Sequence, residues 1–218
     1  MIIDCIADLH GHYPELEGGD LLIVAGDLTA HDNMKEYLVF YEWLDEQEYK
    51  KKIVIAGNHD NELQNPAHEG NDGRFDPAVY LCDSGTEYEG LKIWGSPWTK
   101  TFEGMNPHCK AFTVDTEEEL AEKFSMIPND INILITHSPP YGILDEAVDY
   151  GRDRMESVGS KYLRDKFRGS CNLKLHVFGH IHENGSRLLQ LGHLTKFVNA
   201  SLVNERYEPV NKPIRVIL

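Results

Sequence analysis

Short apolar runs that break abruptly into polar residues dominate the hydropathy pattern of this chain. Residues 1–7 lead into Asp8-Leu9-His10, 21–25 into Gly26-Asp27-Leu28-Thr29, and 53–56 into Gly57-Asn58-His59-Asp60. In the same way, 131–136 lead into His137-Ser138-Pro139-Pro140 and 173–178 into Gly179-His180-Ile181-His182. The runs are rich in Ile, Val and Leu and alternate little, which predicts strands covered on both faces. Helical spacing lies between them. Asn33 with Glu36 predicts a capping box ahead of an apolar stripe of Met34, Tyr37, Leu38, Tyr41 and Leu44. Thr116 and Glu119 form a second box before the i,i+4 pair Leu120 and Phe124, with Pro128 closing the segment. Leu163 and Phe167 mark a basic helix that Gly169 stops, while 46–52 and 117–119 read as solvated helix faces.

Antiparallel sheet is also predicted. Residues 80–83 and 91–94 flank a turn-rich 84–90 segment and read as a hairpin, and 187–190, 195–200 and 214–218 read as late strands. The expectation is one α/β (α+β) domain over residues 1–218.

Composition narrows the partners. The chain of 218 residues is long enough to bury a core without disulfides or structural metals. It carries 21 basic and 36 acidic residues, a net charge of −15, which argues against a surface for long nucleic acid or an anionic membrane. Bound divalent ions are the loophole, because they can make one site positive on an acidic protein. No apolar run approaches the ~18 residues of a membrane span. The start carries Asp4 and Asp8 and no basic segment, unlike a secretion signal. Cys5, Cys82, Cys109 and Cys171 are widely spaced and read as reduced thiols. A cytoplasmic location is expected.

The strand ends carry the chemistry. Open α/β sheets bind ligands at the carboxyl ends of their strands. In extended chain, side chains two apart share a face, so Asp8 should project with His10 and His180 with His182. Asp27, Asn58 and His137 add single groups. Two carboxylates, one carboxamide and four imidazoles suit borderline transition metals. Seven ligands exceed one tetrahedral site and match two sites sharing a carboxylate, the arrangement that hydrolyses phosphoesters. Two divalent ions, two Asp and one hydroxide sum to about +1, a trap for an anionic substrate.

At these residues the sequence resembles the calcineurin-like metallophosphoesterase family, whose pattern runs D-x-H, G-D, G-N-H-D/E, H and G-H-x-H. The segments 53–60, 95–99, 136–140, 175–183 and Asn199-Ala200-Ser201 are similar to its metallophosphoesterase-domain-containing branch. That branch is associated with modest phosphodiester hydrolysis, 2′,3′-cyclic nucleotides included. Some of its members lack the first His of G-H-x-H, which here is His180.

The resemblance implies a four-layer α-β-β-α sandwich of two mixed sheets flanked by helices. It implies one metal on Asp8, His10, Asp27 and His182, and another on Asp27, Asn58, His137 and His180, with Asp27 as the bridge. The ions would be divalent transition metals, manganese first, with iron, zinc or nickel open. A metal-bridging hydroxide would attack, and His59 would protonate the leaving group. Asp60 either orients His59 or caps the following turn. Gly26-Asp27 continues into Leu28-Thr29-Ala30-His31 and lacks the acidic-then-arginine signature of the protein phosphatases. A phosphoprotein substrate is therefore not expected, and the resemblance to the metallophosphoesterase-domain-containing branch implies a small, nucleotide-like phosphodiester instead. Phosphomonoesterase or pyrophosphohydrolase is the alternative, and a non-catalytic metal-binding module a further one.

For the remaining residues the signals are weaker. His12 is a candidate to line the pocket, Arg152 (with Arg154) to hold a phosphate, and Trp98 (with Trp94 and Tyr141) to stack on a base. His31, His68, His108, His176 and His193 read as structural or surface histidines. Gly26, Gly57 and Gly179 read as sharp turns at the strand ends.

Overall fold

A computed structural model of the chain describes residues 1–64, 75–101, 108–149, 152, 154–168, 172–191 and 195–218. Gly169, Cys171, His68 and His193 lie outside these residues. In chain order the first strands are β1 (Ile2–Ile6), β2 (Gly19–Ala25), β3 (Tyr49–Ile55) and β4 (Val79–Tyr80). Helix α1 (Met34–Glu46) lies between β2 and β3, and the short α2 (Asn61–Gln64) follows β3. Next come β5 (Ser84–Tyr88), β6 (Leu91–Ser96), β7 (Thr99–Lys100), β8 (Thr113–Val114) and α3 (Glu117–Ser125). The remainder is β9 (Ile133–Thr136), β10 (Glu146–Asp149), β11 (Arg154–Ser157), α4 (Lys161–Lys166), β12 (Leu175–Phe178), β13 (Arg187–Leu191), β14 (Thr195–Asn199) and β15 (Ile214–Ile217).

Two mixed sheets hold most of the strands. One has the order β15-β1-β2-β3-β4, parallel except for β15. The other has the order β13-β14-β12-β9-β6-β5, parallel in its centre with β13 and β5 antiparallel at its edges. Their inner faces meet in one apolar layer that includes Ile3, Cys5, Ile23, Ile53, Ile133, Ile135, Val177 and Val198. The alternate residues Leu22 and Val24 face outward to Tyr37, Phe40 and Leu44 of α1. Leu134 likewise packs with Leu120 and Phe124 of α3 and Leu163 of α4. The continuous apolar runs are explained by this double coverage: both sides of each central strand are buried. The result is helix, sheet, sheet, helix, the predicted sandwich.

Local chemistry sets the helix ends. Thr116 and Glu119 close the predicted capping box on α3. Asn33 caps α1 through Lys35 and Glu36 N–H groups, but Glu36 reaches back to the amides of Ala30 and His31, so the predicted box is not closed. The stripe of α1 is also rotated from the prediction, with Phe40 buried and Met34 and Leu38 turned to solvent. Segment 46–52 is no helix face: α1 ends at Glu46 and β3 begins at Tyr49. Lys52 is buried there, and its Nζ donates to the Leu44 and Asp45 carbonyls at 2.6 and 2.8 Å, capping α1. The hairpin exists, but its first strand is Ser84–Tyr88, the segment read as a turn. Among the described residues, no helix is long and apolar enough to cross a membrane.

Candidate active site

The five motif strands end on the same side of the two sheets, and their last residues drop into tied loops. Asp8 N–H donates to Gly26 O at 2.9 Å, His10 N–H to Asp27 O at 3.0 Å, and Gly179 N–H to His137 O at 3.2 Å. Asp8, His10, Asp27 and His180 all have left-handed backbone, with φ of 49°, 42°, 54° and 69°. Each such non-glycine residue costs about 1–3 kcal/mol and persists where its surroundings over-determine it. The paired projection expected of extended chain is therefore overturned as a reason. Asp8 and His10 converge because the chain leaves β1 and coils, while His180 and His182 separate toward different neighbours.

Asp8, His10, Asp27 and His182 offer ligand atoms that all lie within 4.8 Å of one another. His182 Nε2 lies 3.7 Å from Asp8 Oδ1, and His10 Nε2 lies 3.6 Å from Asp27 Oδ2. Beside them, His137 Nε2 is 3.0 Å from Asn58 Oδ1 and 3.4 Å from Asp27 Oδ2. The His180 ring centroid is 4.9 Å from that of His137. Asp27 Oδ2 thus faces both groups, and its Oδ1 accepts the His59 N–H at 2.9 Å.

These residues fit divalent ions. His137 and His182 donate Nδ1–H to the carbonyls of Ala25 and Asn204, at 3.0 and 3.2 Å, which turns both Nε2 atoms inward. His10 Nε2 is buried without a hydrogen-bond partner. Electrostatics agree that positive charge is wanted. Burial opposes ionisation of Asp8, yet His182 beside it brings it down to about 2. Asp27 is held well below the usual carboxylate range against burial by His137, His59 and His10. Burial alone would lower His137, and the charge of Asp27 raises it to about 9. Burial holds His10 and His180 down to about 3, leaving them neutral and able to coordinate.

Glycine supplies space more than turning. Gly26 has the positive φ of 98° that the sequence predicts. At Gly57 and Gly179, by contrast, a Cβ would overlap Asp27 Oδ1 and Asp8 Oδ2 respectively. Both carboxylates occupy room that any other residue would fill.

The carboxylate of Asp60 serves neither His59 nor the turn that follows it, but the Gly57 loop before it and the loop after β2. Its Oδ2 accepts the N–H groups of Gly57 and Asp27 at 2.7 and 3.0 Å. Its Oδ1 accepts the Leu28 N–H at 3.0 Å and the Tyr37 hydroxyl at 3.2 Å. Burial and the nearby Asp27 charge push its pKa upward, against the Gly57 and Leu28 amides that favour the carboxylate. The ring of His59 instead presents Nδ1 to Cys109 Sγ at 3.2 Å and Nε2 toward Asp27 Oδ2 at 3.9 Å.

The expected substrate contacts are differently engaged. Arg152 is 65% exposed and pairs with Asp149 and Glu156, each at 3.6 Å. Trp98 donates Nε1–H to Asp83 at 2.6 Å and carries the Lys123 ammonium 3.8 Å over its ring. Both side chains are thus engaged by other residues of the chain. His12 is half-buried, with Nε2 3.3 Å from the Tyr207 carbonyl oxygen. His176 is a structural histidine, 2.8 Å from Thr136 Oγ1.

Residues 1–184 match the family described as calcineurin-like phosphoesterase. The chain belongs to that family. This calcineurin-like phosphoesterase is 34% identical, over 98% of its length, to Metallophosphoesterase domain-containing protein 1 of Homo sapiens, of which it covers 70%. The Mus musculus protein of the same name matches at the same values. A Caenorhabditis elegans protein, UPF0046 protein K07C11.7, is 31% identical over 96% of the chain, with 72% of that relative covered.

Beyond the matched phosphoesterase segment, the site gains residues that motif reading missed. Ser201 Oγ donates to Asp8 Oδ2, and the His180 N–H donates to the same carboxylate at 2.9 Å. Tyr207, at φ 61°, sets its ring edge-on to His10 and His182, with centroids 4.8 and 5.4 Å away. Asn204 holds that loop by accepting the Arg206 and Glu208 N–H groups at 2.9 and 3.0 Å. No spacing ties these residues to the motifs; only the Asn199-Ala200-Ser201 resemblance pointed toward them.

Proposed function

We propose that this protein hydrolyses small, nucleotide-like phosphodiesters with two divalent metal ions. The observation that carries the reading is the position of Asp27 Oδ2, 3.6 Å from His10 Nε2 on one side and 3.4 Å from His137 Nε2 on the other. Asp8, His10, Asp27 and His182 would hold one ion, and Asp27, Asn58, His137 and His180 the other, manganese being the first choice. Bound there, the ions supply Lewis acidity toward the phosphoryl oxygens and lower the pKa of water.

The chain's own residues do the rest. Ser201 and the His180 amide fix Asp8, while the His59 amide fixes Asp27. His59 gives its Nε2 proton to the leaving oxygen as the P–O bond breaks. A net charge of −15 favours a small substrate over a long nucleic acid, and cytoplasmic location is part of the same proposal.

The test is an assay of metal-stripped protein with Mn²⁺ restored, comparing bis-p-nitrophenyl phosphate with p-nitrophenyl phosphate and using Asp27→Ala as the blank. Faster turnover of the diester is expected. Faster turnover of the monoester makes the protein a phosphatase. No turnover above the blank, with metal bound, leaves a binding module.

A further inference from the structure

His137 and His182 turn Nδ1 to backbone carbonyls, but His59 turns Nδ1 to a side chain, the thiol of Cys109, at 3.2 Å. Elsewhere the His59 ring meets His10 in a T-shaped contact with centroids 4.5 Å apart and Tyr207 in a tilted one at 6.0 Å, while Nε2 lies a longer 3.9 Å from Asp27 Oδ2. Aromatic edges barely distinguish a ring nitrogen from a ring carbon. A sulfur 3.2 Å away does, because it accepts an N–H and offers an S–H.

We propose that Cys109 is the positioning residue for His59, its sulfur engaging Nδ1 so that Nε2 is kept as the nitrogen turned toward Asp27 and the substrate. The proposal rests on the reading of His59 as the general acid. In the imidazolium form both nitrogens carry protons; Nδ1–H donates to Sγ, and Nε2–H is the proton to be transferred. The leaving oxygen takes that proton along with the electron pair of the breaking P–O bond. His59 is left neutral, with Nδ1–H still on the sulfur, and regains a proton from water. The thiol is neither oxidised nor deprotonated. Burial first, and then the negative charges of Asp27, Asp32 and Asp60, push Cys109 up to about 11, so at neutral pH it orients the ring without adding charge. This is one of the two roles that the sequence left open to Asp60, whose carboxylate accepts backbone amides instead.

The test uses Cys109→Ala, Cys109→Ser and His59→Ala in the manganese-loaded enzyme, with diphenyl phosphate and bis-p-nitrophenyl phosphate as substrates. Phenolate needs protonation more than nitrophenolate does. Cys109→Ala should therefore lose about tenfold more on diphenyl phosphate, a fraction of the 10²–10⁴-fold of general acid catalysis, and Cys109→Ser should restore most of it. His59→Ala should show the same leaving-group bias more strongly. If His59→Ala loses equally on both substrates, the general-acid reading fails and takes this proposal with it. If His59→Ala shows the bias and Cys109→Ala does not, the role of Cys109 alone is overturned. A readout independent of turnover is the ¹⁵N resonance of the His59 ring. Cys109→Ala should move Nδ1 more than Nε2, and equal or absent movement refutes the sulfur contact.

Discussion

Asp60 accepts the backbone N–H of Asp27 at 3.0 Å, and the same oxygen accepts that of Gly57 at 2.7 Å, so one buried carboxylate ties two motif loops together. Its other oxygen takes Leu28 N–H and the Tyr37 hydroxyl, bringing α1 into the same knot. Asp27 stands where it does largely because of this acceptor.

Asp60→Asn places an NH₂ donor against amide donors. We expect a stability loss of about 2–3 kcal/mol, from the buried donors left unsatisfied. Metal affinity should fall about 10–100-fold, as for other residues that support ligands. Urea unfolding and metal titration check the two effects. Unchanged metal affinity would separate Asp60 from the centre.

Gly57→Ala and Gly179→Ala put a methyl into the space of Asp27 Oδ1 and Asp8 Oδ2. Displacing a ligand by about 1 Å costs on the order of 100-fold in rate. Both variants should fold, lose metal and lose activity to that extent. Metal content and circular dichroism, measured together, distinguish this from general unfolding.

Tyr207→Ala removes a ring that rests edge-on against His10 and His182. Aromatic pairs contribute about 0.5–1.5 kcal/mol each, so removing both pairs should lower kcat/KM roughly tenfold. Tyr207→Phe keeps the ring and should retain most of the activity. Equal losses in both variants would assign the effect to the hydroxyl.

His176 sets an acid limit on the fold. Thr136 Oγ1 donates to Ser138 O, so it accepts from neutral His176. Burial holds His176 down to about 3 from an ordinary 6.5, and the unfolded chain therefore binds a proton that the folded chain rejects. Its contribution is full above pH 6.5 and shrinks as pH falls toward 3. One such proton changes stability by about 1.4 kcal/mol per pH unit. His176→Gln should flatten the measured pH dependence by that slope, and an unchanged slope would overturn the assignment.

Double burial made the central strands readable, since a strand covered on both faces cannot hide its apolar run. Polar edges were harder. Ser84-Gly85-Thr86-Glu87-Tyr88 reads as a turn because Ser and Gly favour turns, yet pairing with β6 makes it a strand. Tyr49-Lys50-Lys51-Lys52 reads as a solvated helix, yet pairing with β2 and the capping of α1 by Lys52 decide otherwise. On α1, apolar residues lie on more than one face, and only packing against Leu22 and Val24 selects Phe40 over Leu38.

Which side chains come close at the centre is written in the chain. Asp8, His10, Asp27, Asn58, His137, His180 and His182 each follow a strand, and parallel strands deliver their ends to one place. Tertiary structure decided how they are held. The left-handed turns, the room that Gly57 and Gly179 leave for the Asp27 and Asp8 carboxylates, the Asp60 knot, and the reach of Cys109, Ser201 and Tyr207 all come from interactions between distant segments. Ligand type is a property of a residue and is written locally. Orientation is a property of its neighbours, which exist only once the two sheets have packed.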